Sequence, residues 1–276
     1  MQLSVSVRIA EGFLSKEIPI LSLDEVCRIA KAAGYPSICM RASQVGVHST
    51  GDEIAQALAT IQEHGLTVSM ITGDFDTVYN NEQGPNALRN IEPYVRLAQS
   101  LGAPLIRVAL KSDDDILAAR DAADVAAEAG LKLVHQCHTL SLFETVGGIV
   151  DTLTKIDRKN FGLIYEPANL ELCRQPYAEC IETLAPWIMN VYLQNQILKP
   201  DGSVTLDTWC NGPSSFDIVP IHQPGGIDFA SVLRGLREFG YDGTVTVHQS
   251  AGEGEDPLES TKATADFLRG ILADGC

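Results

Sequence analysis

Short apolar runs alternate with longer amphipathic stretches from one end of the chain to the other. The runs LSVSVRI (3–9), SICMR (37–41), LTVSMI (66–71), PLIRVAL (104–110), LKLVHQ (131–136), FGLIYE (161–166), IMNVYLQN (188–195) and TVTVHQ (244–249) have the length and β-branched content of strands. Between them, helical patterns cover 22–33, 52–64, 86–101, 114–129, 144–156, 177–186, 228–239 and 257–272. The first opens on a Ser22 cap with Glu25 three residues later. Several stop at a glycine just before the next strand, as in AAGYPSI, EHGLTV, SLGAPL, EAGLKL and EFGYDGTV, where a left-handed residue ends a helix at little steric cost. Eight strands, each followed by a helix, predict one (β/α)8 TIM-barrel domain over residues 1–276. A doubly wound sheet would place a Gly-rich phosphate turn after a strand, and neither GxGxxG nor GxxxxGK occurs.

One stretch breaks the rhythm. From Gln196 to Ile227 the chain reads as a long irregular segment carrying KPDGS, CNGPSS and HQPGG, well beyond the ~12–15 residues usual for a connection. It follows the seventh strand, on the face where barrels keep their sites, and Trp209, Phe216 and Ile218 give it something to pack. A loop 196–227 lying over the barrel mouth is therefore expected, bringing His222, with Trp209, toward a ligand.

Composition narrows the function. Apolar residues make up 45% without a run near the ~20 a membrane helix needs, so no membrane partner is expected. The opening MQLSVSVRIAEGF alternates like a first strand and lacks the charge and apolar pattern of a leader, which suggests a cytoplasmic protein. Seven cysteines without a CxxC pair speak against a disulfide framework and a structural zinc site. Twenty basic against thirty-six acidic residues give a net charge of −16, which disfavours nucleic acid. Arg41 and Arg107 can still make a local positive pocket for a small ligand. Assembly as a homo-oligomer is compatible with all of this.

In a barrel the C-terminal strand ends converge, so the last residues of each run matter most. Here they are Arg41, Asp74, Arg107, Gln136 with His138, Glu166 with Asn169, Gln194 with Asn195, and His248 with Gln249. So many polar groups are costly to bury in a plain core and fit a polar ligand. Since strand side chains alternate, only one of His135 and Gln136 faces the barrel.

Four segments, QCHTLSLFET, GLIYEPANL, NVYLQNQ and HQPGGIDFASVLRGLREFGYDGTVTVHQS, resemble the sugar phosphate isomerase/epimerase family of xylose isomerase-like TIM barrels, and the resemblance spans nearly the whole chain. It implies a divalent metal (Mn, Mg or Zn) held by a Glu ending strand five, an Asp ending strand six, a His in strand seven and a Glu ending strand eight. It also implies that the two glutamates move a proton on opposite faces of a bound hydroxyketone. At the matching positions stand Gln136, Glu166, Tyr192 with Gln194 two residues on, and His248. The metal set carried over is Gln136, Glu166, Gln194 and His248, weaker than the family's carboxylates. The proton chemistry falls to His138, Glu166 and His248, histidine titrating near working pH. Arg41, Arg107, Asn169, Asn195 and His222 are the expected substrate contacts. The implied function is an isomerase, epimerase or related lyase that abstracts a proton next to a carbonyl of a sugar, keto-sugar or polyol derivative. The alternative is an inactive barrel that binds a sugar as a sensor or subunit.

Overall fold

The computed structural model describes residues 1–12, 15–250 and 254–274. Its strands are β1 (Gln2–Ser6), β2 (Ser37–Arg41), β3 (Thr67–Thr72), β4 (Leu105–Val108), β5 (Lys132–Gln136), β6 (Phe161–Tyr165), β7 (Ile188–Leu193), β8 (Gln196–Leu198), β9 (Val204–Thr208), β10 (Gly212–Ile218) and β11 (Thr244–Val247). Eight of them, β1 through β7 with β11, are parallel and close into a barrel when β11 pairs β1 at Val5↔Val247. The expected (β/α)8 barrel is the fold.

Side-chain alternation sorts the apolar residues into two cores. Cys39, Met70, Leu105, Val134, Ile164 and Tyr192 cluster together, while their chain neighbours Ile38, Ile71, Ile106, Leu133, Leu163 and Val191 join the larger cluster shared with the helices. The first set fills the barrel and the second seals the sheet against its outer layer. Two residues farther along the inner face come Arg41, Arg107, Gln136, Glu166 and Gln194. The inner core thus ends in a polar layer, and a register slip of one residue would bury those groups against helices instead.

The helices Leu23–Ala32 and Gly51–Glu63 start at full capping boxes, Ser22 with Glu25 and Thr50 with Glu53. The pattern over 86–101 resolves into Asn86–Arg89 and Glu92–Leu101. The break has a cause in Pro93, which offers no N–H to Arg89 and belongs in a first turn. Over 177–186 the α-helix shrinks to Ile181–Leu184, and Pro186 lies in the 3-10 turn Ala185–Trp187 that follows. No described helix is long and apolar enough to cross a membrane.

The largest departure lies at 196–227, where the expected irregular loop is mostly an antiparallel sheet of order β8-β10-β9. Its base is tied down by Asn195, which is 1% exposed. The Asn195 amide N–H2 donates to the carbonyls of Pro220 (3.2 Å) and Gly225 (3.1 Å), and its oxygen accepts from the N–H groups of Gln196 and Ile227, each at 3.0 Å. Gly226 is required here: its φ is +75°, and a Cβ would lie 2.2 Å from the Asn195 oxygen. At the far end Glu144 accepts from the backbone N–H groups of Leu140 (2.9 Å), Trp209 (2.8 Å) and Cys210 (2.9 Å), fastening the β9–β10 turn to the loop after β5.

Because Asn195→Ala strips partners from four backbone groups, two of them in buried hydrogen bonds, it should lower stability by about 2–4 kcal/mol. Denaturant unfolding measures the loss, and limited proteolysis should cut within 196–227 before the barrel.

Candidate functional site

The polar layer floors a cavity of about 390 Å³ at the C-terminal ends of the barrel strands. Arg41, Arg107, Gln136, His138, Asn169, Gln194 and His248 line it, together with Arg8, Lys16 and Asn80. Thr205, Leu206, Phe216 and Ile218 of the antiparallel sheet form one wall. The strand-end reasoning therefore holds for position, with one shift. Glu166 is fully buried and lies behind the floor instead of facing the cavity.

Glu166 organises that floor. One carboxylate oxygen accepts from Gln136 Nε2 and from Asn169 Nδ2 (2.8 Å), and the other accepts from Gln194 Nε2. Asn169 also donates to the Cys137 carbonyl at 2.7 Å. Burial pushes the Glu166 carboxyl above its usual range, opposed by the hydrogen bonds from Gln194 and Gln136 and by the Arg107 charge. An amide facing a carboxylate turns its N–H2 to it, so Gln136 Oε1 is left without a partner.

On the other side Arg41 bridges two groups. Its Nε donates to Glu11 at 2.9 Å, and its Nη1 lies 3.1 Å from His248 Nε2. A guanidinium can only donate, so His248 Nε2 accepts and its proton sits on Nδ1. The imidazole stacks on Tyr192, with ring centroids 3.8 Å apart and planes 6° from parallel. Burial, then the charges of Arg41, Arg8 and Arg107, hold His248 well below its ordinary pKa. Arg107 is different in kind. It is 2% exposed and makes no hydrogen bond or ion pair with a described residue, its Nε among the buried atoms lacking a partner.

His138 is half-buried and set by its Nδ1, 2.9 Å from the Thr139 carbonyl oxygen. Asn80 Nδ2 lies 3.1 Å from the same Nδ1 and donates to the Thr139 carbonyl as well; with Nδ1–H given to that carbonyl, Nε2 is an acceptor with no partner among the described residues. Burial and the Arg107 charge lower its pKa well below the ordinary value, so the ring is neutral at pH 7. His135 faces away from the barrel, its Nδ1 2.9 Å from the Val108 carbonyl and its ring tilted against Phe143.

Two expected substrate contacts are placed otherwise. Asn195 reaches the cavity edge, yet all four of its amide positions serve backbone groups of Gln196 and of the segment after β10. His222 does not line the cavity and instead bonds the Thr264 hydroxyl at 3.2 Å, because Asn195 holds the segment after β10 back against the last helix. Trp209 is 55% exposed and likewise outside the cavity. Conversely, Arg8 and Lys16 escaped the strand-end list. Arg8 is next to last in the run LSVSVRI and lies past the end of β1 at Ser6, whereas Lys16 sits in a connection with no periodic signal. Burial, then Arg8, Arg41 and Arg107, lower the Lys16 ammonium to about 7.

The sequence matches the family model of xylose isomerase-like TIM barrels over residues 27–271. The chain belongs to that family. No curated protein sequence gives a significant match. Among solved structures of this barrel type, D-psicose 3-epimerase with D-tagatose from Clostridium cellulolyticum H10 superposes with a TM-score of 0.73 at 14% identity, covering 99% of both chains. The probable 3-DHS dehydratase from Bacillus anthracis gives 0.70 at 15%, covering 98% of this chain and 99% of that one. A xylose isomerase-like TIM barrel protein from Mycobacterium smegmatis in complex with magnesium gives 0.73 at 16%, covering 100% and 97%.

A divalent metal does not fit the donor set of this xylose isomerase-like barrel. Gln136 and Gln194 present N–H2 groups to Glu166, the only carboxylate in the floor among the described residues, and Arg41 already uses the His248 Nε2 lone pair. Four cationic side chains line the same cavity. Outside it, Glu144, Cys173 and Cys210 bring three metal-capable atoms within 4.8 Å of one another. There the Glu144 oxygens are taken by three N–H groups, and burial pushes the Cys173 thiol up, keeping it protonated.

The buried histidines make the barrel acid-sensitive. Burial lowers His135 from 6.5 to about 3, so between those values the unfolded chain binds a proton the folded one refuses. Its share of stability is full above pH 6.5 and is lost as pH falls toward 3. Glu166, raised above 4.5, acts in the opposite sense between 4.5 and its folded pKa. At about pH 5 His135→Gln should reduce proton uptake on unfolding by about one, as read by calorimetry in buffers of different ionisation enthalpy.

Proposed function

We propose that the cavity is an active site that abstracts a proton next to the carbonyl of a sugar, keto-sugar or polyol derivative, as an isomerase, epimerase or lyase, using the chain's own cations in place of a metal. The observation that carries this is the pairing of a neutral, anchored His138 with concentrated positive charge in one small cavity. His138 Nε2 takes the proton from the carbon, and the C–H electron pair moves onto the carbonyl oxygen to form an enediolate. Arg107 and Arg41 hold the developing negative charge where little water competes. Return of the proton to the neighbouring carbon, with the hydroxyl proton passing from one enediolate oxygen to the other, gives the isomer. Lys16, lowered to about 7, is a second group able to give or take a proton near neutral pH. Glu166 acts through the amides it orders. His248, its Nε2 committed to Arg41, offers Nδ1–H to a substrate oxygen.

Relatives of the fold with epimerase and dehydratase chemistry support this reaction class, since both share an enolised intermediate. The replaced carboxylates favour the second reading, a barrel that binds a sugar without turning it over.

The decisive measurement is solvent deuterium incorporation by NMR over a panel of ketoses, aldoses and sugar acids, after dialysis against a chelator. Exchange at the carbon beside the carbonyl is expected to persist without metal, and His138→Gln should slow it by about 10²-fold or more. A ligand that binds without exchange would establish the binding barrel.

A further inference from the structure

We propose that the ligand of this cavity carries a carboxylate or phosphate group and that Arg107 is the residue that holds it, with the free N–H of Arg41 beside it. The inference rests on the assignment of the cavity as the substrate site and names the class of substrate it takes.

Arg107 sits on the inner face of β4, two residues past the core residue Leu105, lines the cavity and is 2% exposed. A buried guanidinium ordinarily has a carboxylate or a set of carbonyls around it, because taking that charge from water without partners is costly. Arg107 has neither. Among the described residues the buried acidic groups at the barrel mouth have other partners: Glu11 accepts from Arg41 at 2.9 Å and from Ser43 at 2.6 Å and lies 3.6 Å from Arg8, and Glu166 accepts from three amides. Arg41, although paired through Nε and Nη1, keeps a buried Nη2 without a partner.

Charge balance points the same way. Among the described residues Arg8, Arg41, Arg107 and Lys16 line the space, against the buried carboxylates Glu11 and Glu166 and the exposed Asp207 at its rim, which leaves an excess of positive charge. The lowered pKa of Lys16, caused after burial by those three arginines, is what such an uncompensated field produces. An arginine fork matches the paired oxygens of a carboxylate or phosphate. The remaining lining suits hydroxyls: Gln136 Oε1 is a free acceptor and His248 Nδ1–H a free donor. At about 390 Å³ the cavity is near the small end of ligand sites, the scale of a sugar acid or sugar phosphate.

The test compares matched pairs by titration calorimetry: D-gluconate against D-glucitol, D-glucose 6-phosphate against D-glucose, and inorganic phosphate alone. Wild type is expected to bind at least one anion about tenfold or more tightly than its neutral counterpart, and the responding arm tells carboxylate from phosphate. Arg107→Met should erase that preference and, by removing an unpaired buried charge, raise the Tm of the ligand-free protein by a few degrees. Arg107→Lys, which keeps the charge without the fork, should weaken the preference only in part, and it serves should the methionine variant fail to fold. Neutral counterparts binding as tightly as the anions, no anion binding at all, or an undiminished preference in a folded Arg107 variant would overturn the proposal. Anion preference without deuterium exchange upholds it while removing the proton-transfer reading, and exchange on neutral sugars without anion preference does the reverse.

Discussion

Taking the charge of Glu166 out of water is the constraint around which the barrel mouth is arranged. A carboxylate at zero exposure needs its lone pairs filled, and Gln136 and Gln194, from the ends of β5 and β7, with Asn169, from the short helix after β6, fill them. Those contacts fix which atom each amide shows to the cavity. Because the amides give their N–H2 groups to Glu166, Gln136 Oε1 is left buried without a partner.

The same constraint separates this chain from a metal-binding barrel. Where the family resemblance implies carboxylates at the ends of strands five and eight, Gln136 and His248 bring neutral groups, and the arginines supply the positive charge a metal would otherwise bring. The swap is chemically consistent. Amides beside a single carboxylate avoid the mutual repulsion that several carboxylates would suffer without an ion between them.

Much of this was legible in the sequence because two periodicities carry it. Period two along the strands placed Arg41, Arg107, Gln136, Glu166, Gln194 and His248 on one end of one face, and helix-closing glycines fixed where each strand begins. The errors arose where periodicity is silent. Whether Glu166 faces the cavity or hides beneath it depends on which neighbours reach it, a matter of side-chain length across strands. The sheet at 196–227 was concealed by short strands rich in Gly, Ser and Asp, and the position of His222 is set by the Asn195 contacts, which lie far away in sequence. Arg8 was missed because the first strand tightens into a 3-10 turn, Val7–Ala10, before its last side chain.

The antiparallel sheet is fastened at both ends, by Asn195 at its base and by Glu144 at its tip. Mechanically it is a beam with two clamped supports, and the softest deformation of such a beam is a bow at midspan. Thr205, Leu206, Phe216 and Ile218, which touch the cavity, lie between those supports, whereas the turn at Trp209 and Cys210 is held to the loop after β5. Ligands of different thickness can then be accommodated by flexing the wall without releasing either support.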